Sequence, residues 1–228
     1  MKRALLAAGL AFGLAAHARA HDVSTTPITW NREISRIFYD RCISCHRPEG
    51  TSFSLMTYPD VQPRAVEIRD AVLSRRMPPW GAVKGFGDFR NDKALTAEQI
   101  ELITDWVQDD TPKGNNSRML PPMPKFGPSE TVTTAPADAV RVGDTITLKS
   151  SMRLDGLLPE RATGGARIVA VRPDGTVEPL LWFYGYSDKY RHAFLLRKPL
   201  ALPAGTIIRG VKPPDSVLLL PAASLGTH

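Results

Sequence analysis

The chain has 228 residues, with 29 basic and 23 acidic side chains and a formal net charge of +6. This length is enough for one large or two small domains. No basic cluster with interleaved aromatic residues occurs, so the sequence gives no support to nucleic-acid binding.

The first twenty residues are typical of a secretory signal peptide. Lys2 and Arg3 form a basic start, residues 4–16 are apolar but too short to span a bilayer, and Ala18-Arg19-Ala20 is a cleavage site. Removal of these three basic residues lowers the net charge from +6 to +3. We predict a mature chain that begins at His21, lies in the periplasm or is secreted, and has no integral membrane span after signal cleavage.

A first helix is predicted over residues 29–41, because Ile34, Ile37 and Phe38 fall at positions i, i+3 and i+4. This helix leads directly into Cys42-Ile43-Ser44-Cys45-His46, which has the spacing of a c-type haem attachment site. On one helical turn, positions i and i+3 share a side, so both thiols can bond one haem edge. The histidine that follows can then ligate the iron.

Two other kinds of site use similar residues. A Cys-x-x-Cys pair can be a redox disulfide of the thioredoxin type, but that motif usually opens a helix, whereas here it closes one. A zinc site needs further Cys or His ligands at close spacing, and the sequence has none nearby. We therefore predict one haem c, attached covalently through Cys42 and Cys45, with His46 as an iron ligand. The disulfide remains the alternative.

A second helix is predicted over residues 64–75, and Met77-Pro78-Pro79-Trp80 follows it. Methionine is a flexible and weak ligand, so a thioether on iron must be held rigidly, and two prolines fix the backbone after Met77. Met77 is therefore the candidate for the sixth iron position, and an ordinary core methionine is the alternative. Three other methionines are rivals for this position: Met56, Met119 and Met123.

Cationic and aromatic side chains near these two motifs are candidates to pair with the haem propionates. Arg76 and Trp80 are preferred because they flank the Met77 loop. For any one arginine, a position on a solvated basic surface is the alternative. The full candidate set is Arg47, Tyr58, Arg64, Arg75, Arg76, Trp80 and Arg90.

The remaining chain changes from helical to strand periodicity. Residues 81–95 show little periodicity and are predicted to be a loop, and Thr96 with Gln99 forms a capping box for a helix that ends near Asp109. Residues 115–128 are rich in Pro, Asn, Ser and Gly, which predicts a linker. Short strands are predicted at 144–149, 166–171, 177–184, 193–196, 206–211 and 216–220.

Two resemblances follow from these motifs. Residues 28–114 resemble a class I cytochrome c domain in the Cys-x-x-Cys-His motif, the Met-Pro-Pro-Trp loop and the flanking helices, with Phe38 and Trp106 matching an aromatic contact between helices. This resemblance implies one low-spin haem c that carries single electrons. Part of the region after the linker is similar to β-sandwich domains of copper type II, ascorbate-dependent monooxygenases. It lacks their copper ligands, because His192 is its one internal histidine.

We therefore expect a multidomain fold, with a mainly α cytochrome c domain followed by an all-β sandwich. The predicted divisions are a signal peptide at 1–20, a cytochrome c domain at 21–114, a linker at 115–128 and a β-sandwich at 129–222.

The expected function is that of an exported monohaem c-type cytochrome that carries electrons between periplasmic redox proteins, with the β-domain for docking. Such a chain is an electron-transfer protein rather than a catalyst in its own right. Two alternatives remain, a haem enzyme or sensor with a labile sixth ligand and a cytochrome subunit of a larger oxidoreductase.

Overall fold

The computed structural model describes residues 26–126, 131–163 and 165–222, so the predicted signal peptide lies outside the described residues. A π-helical turn over Trp30–Ile34 leads into the first α-helix, and a 3-10 turn over Gln62–Arg64 joins the second to the third. Within the described residues, no helix is long and apolar enough to cross a membrane. The α-helices are α1 (Ser35–Arg41), α2 (Tyr58–Val61), α3 (Ala65–Leu73) and α4 (Ala97–Gln108).

The second half of the chain forms two four-stranded antiparallel sheets. Their strands are β1 (Val140–Val142), β2 (Ile146–Thr147), β3 (Met152–Arg161), β4 (Arg167–Val171), β5 (Val177–Trp182), β6 (Phe194–Leu202), β7 (Ile207–Arg209) and β8 (Ser216–Pro221). The strand order is β1-β8-β3-β6 in one sheet and β2-β7-β4-β5 in the other. Both sheets contribute to one hydrophobic core, in which Leu154 and Phe194 of the first meet Ile168 and Leu180 of the second.

The helices enclose a second, smaller core around Trp30. Its indole lies 5.4 Å from the ring of Phe38 and 6.3 Å from that of Trp106, measured between ring centroids. The indole N–H of Trp106 donates to the carbonyl of Pro112 at 3.0 Å. The chain entering α1 therefore packs on α4 through an aromatic cluster.

The predicted capping box at the start of α4 is confirmed. The Thr96 hydroxyl accepts from the N–H of Gln99 at 3.1 Å, and the Gln99 side chain accepts from the N–H of Thr96 at 3.0 Å. Two N–H groups that the helix itself leaves without partners are thereby satisfied.

The expected fold class, a mainly α cytochrome domain followed by a separate β-sandwich, is wrong. The α-helices are short, with 7, 4, 9 and 12 residues in α1 to α4. The larger core belongs to the two antiparallel sheets, and Trp80, Ala82 and Phe89 from the first half of the chain are buried in it. Hydrophobic periodicity gave the wrong fold class because it indicates that a residue is buried but not which element buries it.

Residues 80–91, predicted to be a loop beyond Trp80, form a β-bridge at one edge of each sheet. Ala82 forms a β-bridge with Phe183, directly after β5, and Phe89 forms one with Leu196 in β6. Strand β5 is one of the two outer strands of its sheet, and β6 is one of the two outer strands of the other. The segment therefore pairs with backbone groups that an outer strand would otherwise leave open.

Candidate functional site

The Cys-x-x-Cys-His motif lies in the turn that follows α1. The carbonyl of Cys42 accepts from the N–H of Cys45 at 3.2 Å and from the N–H of His46 at 3.0 Å, which makes one helical turn. Ile43 is fully buried, Cys42 packs against the helical core, and Cys45 is exposed. The turn therefore holds two thiols and an imidazole within five consecutive residues.

Both cysteine thiols are free. Burial, with a smaller contribution from the carboxylate of Asp40, raises the pKa of Cys42 to about 12. The Cys42 thiol is therefore protonated at neutral pH. Thiol–disulfide exchange proceeds through the thiolate, and thioredoxin-type cysteines have lowered pKa values. This environment argues against the redox-disulfide alternative.

The imidazole of His46 is oriented by the backbone. Its Nδ1 lies 3.0 Å from the carbonyl oxygen of Phe53. Because a carbonyl oxygen only accepts, Nδ1 carries the proton and Nε2 keeps its lone pair. Burial lowers the pKa of His46, which favours the neutral ring. A neutral imidazole held at Nδ1 by a carbonyl is the arrangement found in metal-ligating histidines.

The loop after the motif turns back onto it, which brings Phe53 to His46. The N–H of Ser52 donates to the carbonyl of Cys45 at 3.2 Å, and the N–H of Leu55 donates to the carbonyl of His46 at 3.1 Å. Gly50 permits this return, because a β-carbon there would overlap the carbonyl of Cys45.

Met77 lies beside a cavity of about 380 Å³, which Trp80 and Leu95 also line. The N–H of Met77 donates to the carbonyl of Ala71 in α3 at 3.1 Å, and its side chain is half-buried. The rival thioethers of Met119 and Met123 belong to residues that are 38% and 41% exposed. Burial therefore favours Met77 over these two.

The residues that line this cavity do not include Cys42, Cys45 or His46. A short segment, residues 92–95, contacts both the chain next to Cys42 and the cavity beside Met77. The side chain of Arg41, next to Cys42, donates to the carbonyl of Asp92 at 2.6 Å, and residues 94 and 95 line the cavity of Met77.

The two preferred propionate candidates lie in different surroundings. Trp80 lines the cavity and is 4% exposed, whereas Arg76 is exposed and is not part of the lining. Arg75, named only in the wider candidate set, does line the cavity and donates to the carbonyl of Leu95 at 3.3 Å. Arg75 is itself exposed, and no local sequence signal separates these neighbouring arginines, because the turn after α3 decides which one reaches the cavity.

No group of three His, Cys, Asp or Glu side chains that could hold a metal ion occurs in residues 26–126, 131–163 and 165–222. One imidazole and one thioether, the pair predicted for a haem iron, are not such a group. The residues at the motif do fit a covalently attached haem. Two free thiols precede an oriented imidazole by the required spacing.

No family model matches this chain, and neither the curated proteins nor the solved structures contain a match to it.

Proposed function

We propose that this chain is an exported monohaem c-type cytochrome that carries single electrons between periplasmic redox proteins. Cys42 and Cys45 would hold haem c covalently, and His46 and Met77 would bind its iron. Haem c, when bound, supplies a one-electron iron couple. The observation that supports this proposal most is the 3.0 Å contact between His46 Nδ1 and the carbonyl of Phe53, because it leaves Nε2 as the nitrogen that can bind a metal.

The chain's own residues prepare both ligands. The carbonyl of Phe53 fixes the tautomer of His46 and raises its basicity as a ligand. Met77 is tied to α3 by its N–H, and Pro78 and Pro79 restrict the backbone that follows it. An iron whose two remaining positions were filled by His46 and Met77 would have no coordination position for a substrate, which favours an electron carrier over a catalyst.

The first test is covalent attachment in the mature chain produced with a competent cytochrome c maturation system. We expect one haem per chain that stays with the polypeptide on a denaturing gel. Replacement of both Cys42 and Cys45 by alanine should abolish the covalent attachment of haem. A colourless wild-type chain, with its thiols free or bonded to each other, would contradict the proposal.

The second test concerns the sixth ligand. Met77→Ala should lower the midpoint potential and open the reduced iron to carbon monoxide, and Met123→Ala is the matched control because Met123 is 41% exposed. An equal or larger effect of Met123→Ala would contradict the ligand assignment. Rapid, stoichiometric carbon monoxide binding by the reduced wild-type protein would instead favour a haem enzyme or sensor.

A further inference from the structure

The segment that carries Met77 is attached to the two sheets within a few residues. Trp80 comes three residues after Met77, is 4% exposed and belongs to the core of the sheets. Pro78 and Pro79, between the two, have restricted backbone angles. The N–H of Trp80 donates to the carbonyl of Pro78 at 2.8 Å, which tightens the turn. Trp80 and Met77 are therefore joined by a short segment with little backbone freedom.

Aromatic rings surround Trp80 on several sides. The ring of Phe194 stands edge-on at 4.8 Å, and that of Phe89 stands edge-on at 5.8 Å, measured between centroids. The imidazole of His192 is stacked on the indole at 5.1 Å, with an angle of 28° between the planes. Phe194 and His192 come from β6 and the chain just before it, so the sheets supply these contacts.

His192 is held in this stack by the backbone. Its Nδ1 lies 2.7 Å from the carbonyl of Tyr190, so Nδ1 carries the proton. The Nε2 atom is buried and has no hydrogen-bond partner in the structure. Burial lowers the pKa of His192. The ring therefore serves here as a neutral, planar packing surface on Trp80.

The chain after Trp80 is fixed to the sheets as well. The N–H of Val83 donates to the carbonyl of Trp182 at 2.8 Å, and the N–H of Tyr184 donates to the carbonyl of Gly81 at 3.0 Å. The peptide groups on both sides of Ala82 are thus bound to the end of β5, and Trp80 cannot shift without disturbing them.

We propose that the two sheets position the sulfur of Met77, with Trp80 as the anchor and the stacked ring of His192 as a positioning residue. This inference rests on the proposed function, because it assigns the sheets a role at the predicted iron site. In this role the sheets hold the Met77 thioether, a weak ligand, so that another ligand does not replace it. A methionine ligand requires such a rigid support because its side chain is flexible. His192 acts through Trp80 and does not itself touch the iron.

The test compares three variants of the mature, haem-loaded chain. His192→Ala removes the stacked ring, and His192→Phe restores a planar ring that cannot be protonated. Leu220→Ala is the control, because Leu220 is 4% exposed but belongs to a different hydrophobic cluster of the sheets. The readouts are the midpoint potential, the absorption band of methionine-ligated iron and the rate of carbon monoxide binding to the reduced protein.

We expect His192→Ala to weaken the methionine band, lower the potential and speed carbon monoxide binding by about three- to tenfold, the range set by the strength of one stacked aromatic pair. His192→Phe should restore all three readouts, and Leu220→Ala should lower thermal stability while leaving them unchanged. Haem-loaded His192→Ala with wild-type readouts overturns this inference alone. The same changes in Leu220→Ala also overturn it, because general loosening would then explain them.

Two further outcomes are distinguishable. A wild-type chain that carries no haem overturns the proposed function, and this inference with it. If His192→Ala yields no folded protein, Phe194→Leu takes its place, because it removes the ring that stands edge-on to Trp80. Phe194→Leu must then shift the potential and the methionine band, and wild-type values there overturn the inference.

Discussion

Replacement of Phe89 by alanine tests whether residues 80–91 are part of the sheet core. Phe89 is 4% exposed, and its ring lies 5.8 Å from that of Trp80 and 5.6 Å from that of Phe194. A buried Phe→Ala change typically costs about 3–5 kcal/mol of unfolding free energy. The backbone on both sides is held by bonds to β6, so the cavity cannot collapse easily. We therefore expect a loss of about 4 kcal/mol.

A loss of this size should be easy to measure, because folded domains are stable by only about 5–15 kcal/mol. Urea unfolding of the mature chain, followed by far-UV circular dichroism, should show a lower midpoint with an unchanged slope. Thermal unfolding should shift by roughly 10 °C. Leu73→Ala is the control, because Leu73 is 52% exposed, and surface changes usually stay within about 0.5 kcal/mol.

A cost below about 1 kcal/mol for Phe89→Ala would match an exposed loop side chain and would refute the reasoning. Two separate unfolding transitions, of which Phe89→Ala shifts neither, would also refute it. Either result would mean that the segment does not close the sheets in solution.

Three further predictions concern the motif, α4 and pH. Gly50→Ala should reduce haem attachment, because the added methyl group would overlap the carbonyl of Cys45. Gly143→Ala is the control, because no atom lies nearer than 3.8 Å to the added methyl group. The measurement is the amount of haem per chain, and equal haem loading of the two variants would contradict the prediction. Thr96→Ala should cost about 1 kcal/mol in urea unfolding, and no loss would mean that the cap is dispensable. Burial lowers the pKa of His192 below its usual 6.5, so the unfolded chain binds more protons in acid and stability falls below about that pH. His192→Phe should reduce the drop in thermal midpoint between about pH 7.5 and pH 5.5, and an unchanged drop would contradict this.

Local patterns predicted the local structure well. The capping box of Thr96 and Gln99 depends on residues three apart, so the sequence alone indicates where α4 begins. The first predicted helix is found as a π-helical turn followed by α1, and the second, predicted over residues 64–75, is found as α3 at Ala65–Leu73. Periodicity identified the buried face of the first helix, where Ile34, Ile37 and Phe38 are buried, but not its π-helical start.

The central strand β3 is the longest of the elements that sequence reasoning missed, which also include β1 and α2. It pairs with β6 on one side and β8 on the other. Asp155, Gly156 and Pro159 are residue types that usually indicate turns, so local pattern does not predict a strand there. In the structure the register shifts next to Gly156 and next to Pro159. A β-carbon at Gly156 would lie 2.6 Å from the carbonyl of Phe194, so glycine permits the close approach of β6.

The sequence by itself determined the chemistry of the motif, because two thiols and an imidazole separated by fixed numbers of residues share one turn wherever that turn lies. Only the tertiary structure decided that the Met77 segment is fastened to two β-sheets. The contacts that do this join Trp80 and Phe89 to Phe194, more than a hundred residues further along the chain. No local pattern contains such pairings, because they depend on how the outer strands of the two sheets come together in space.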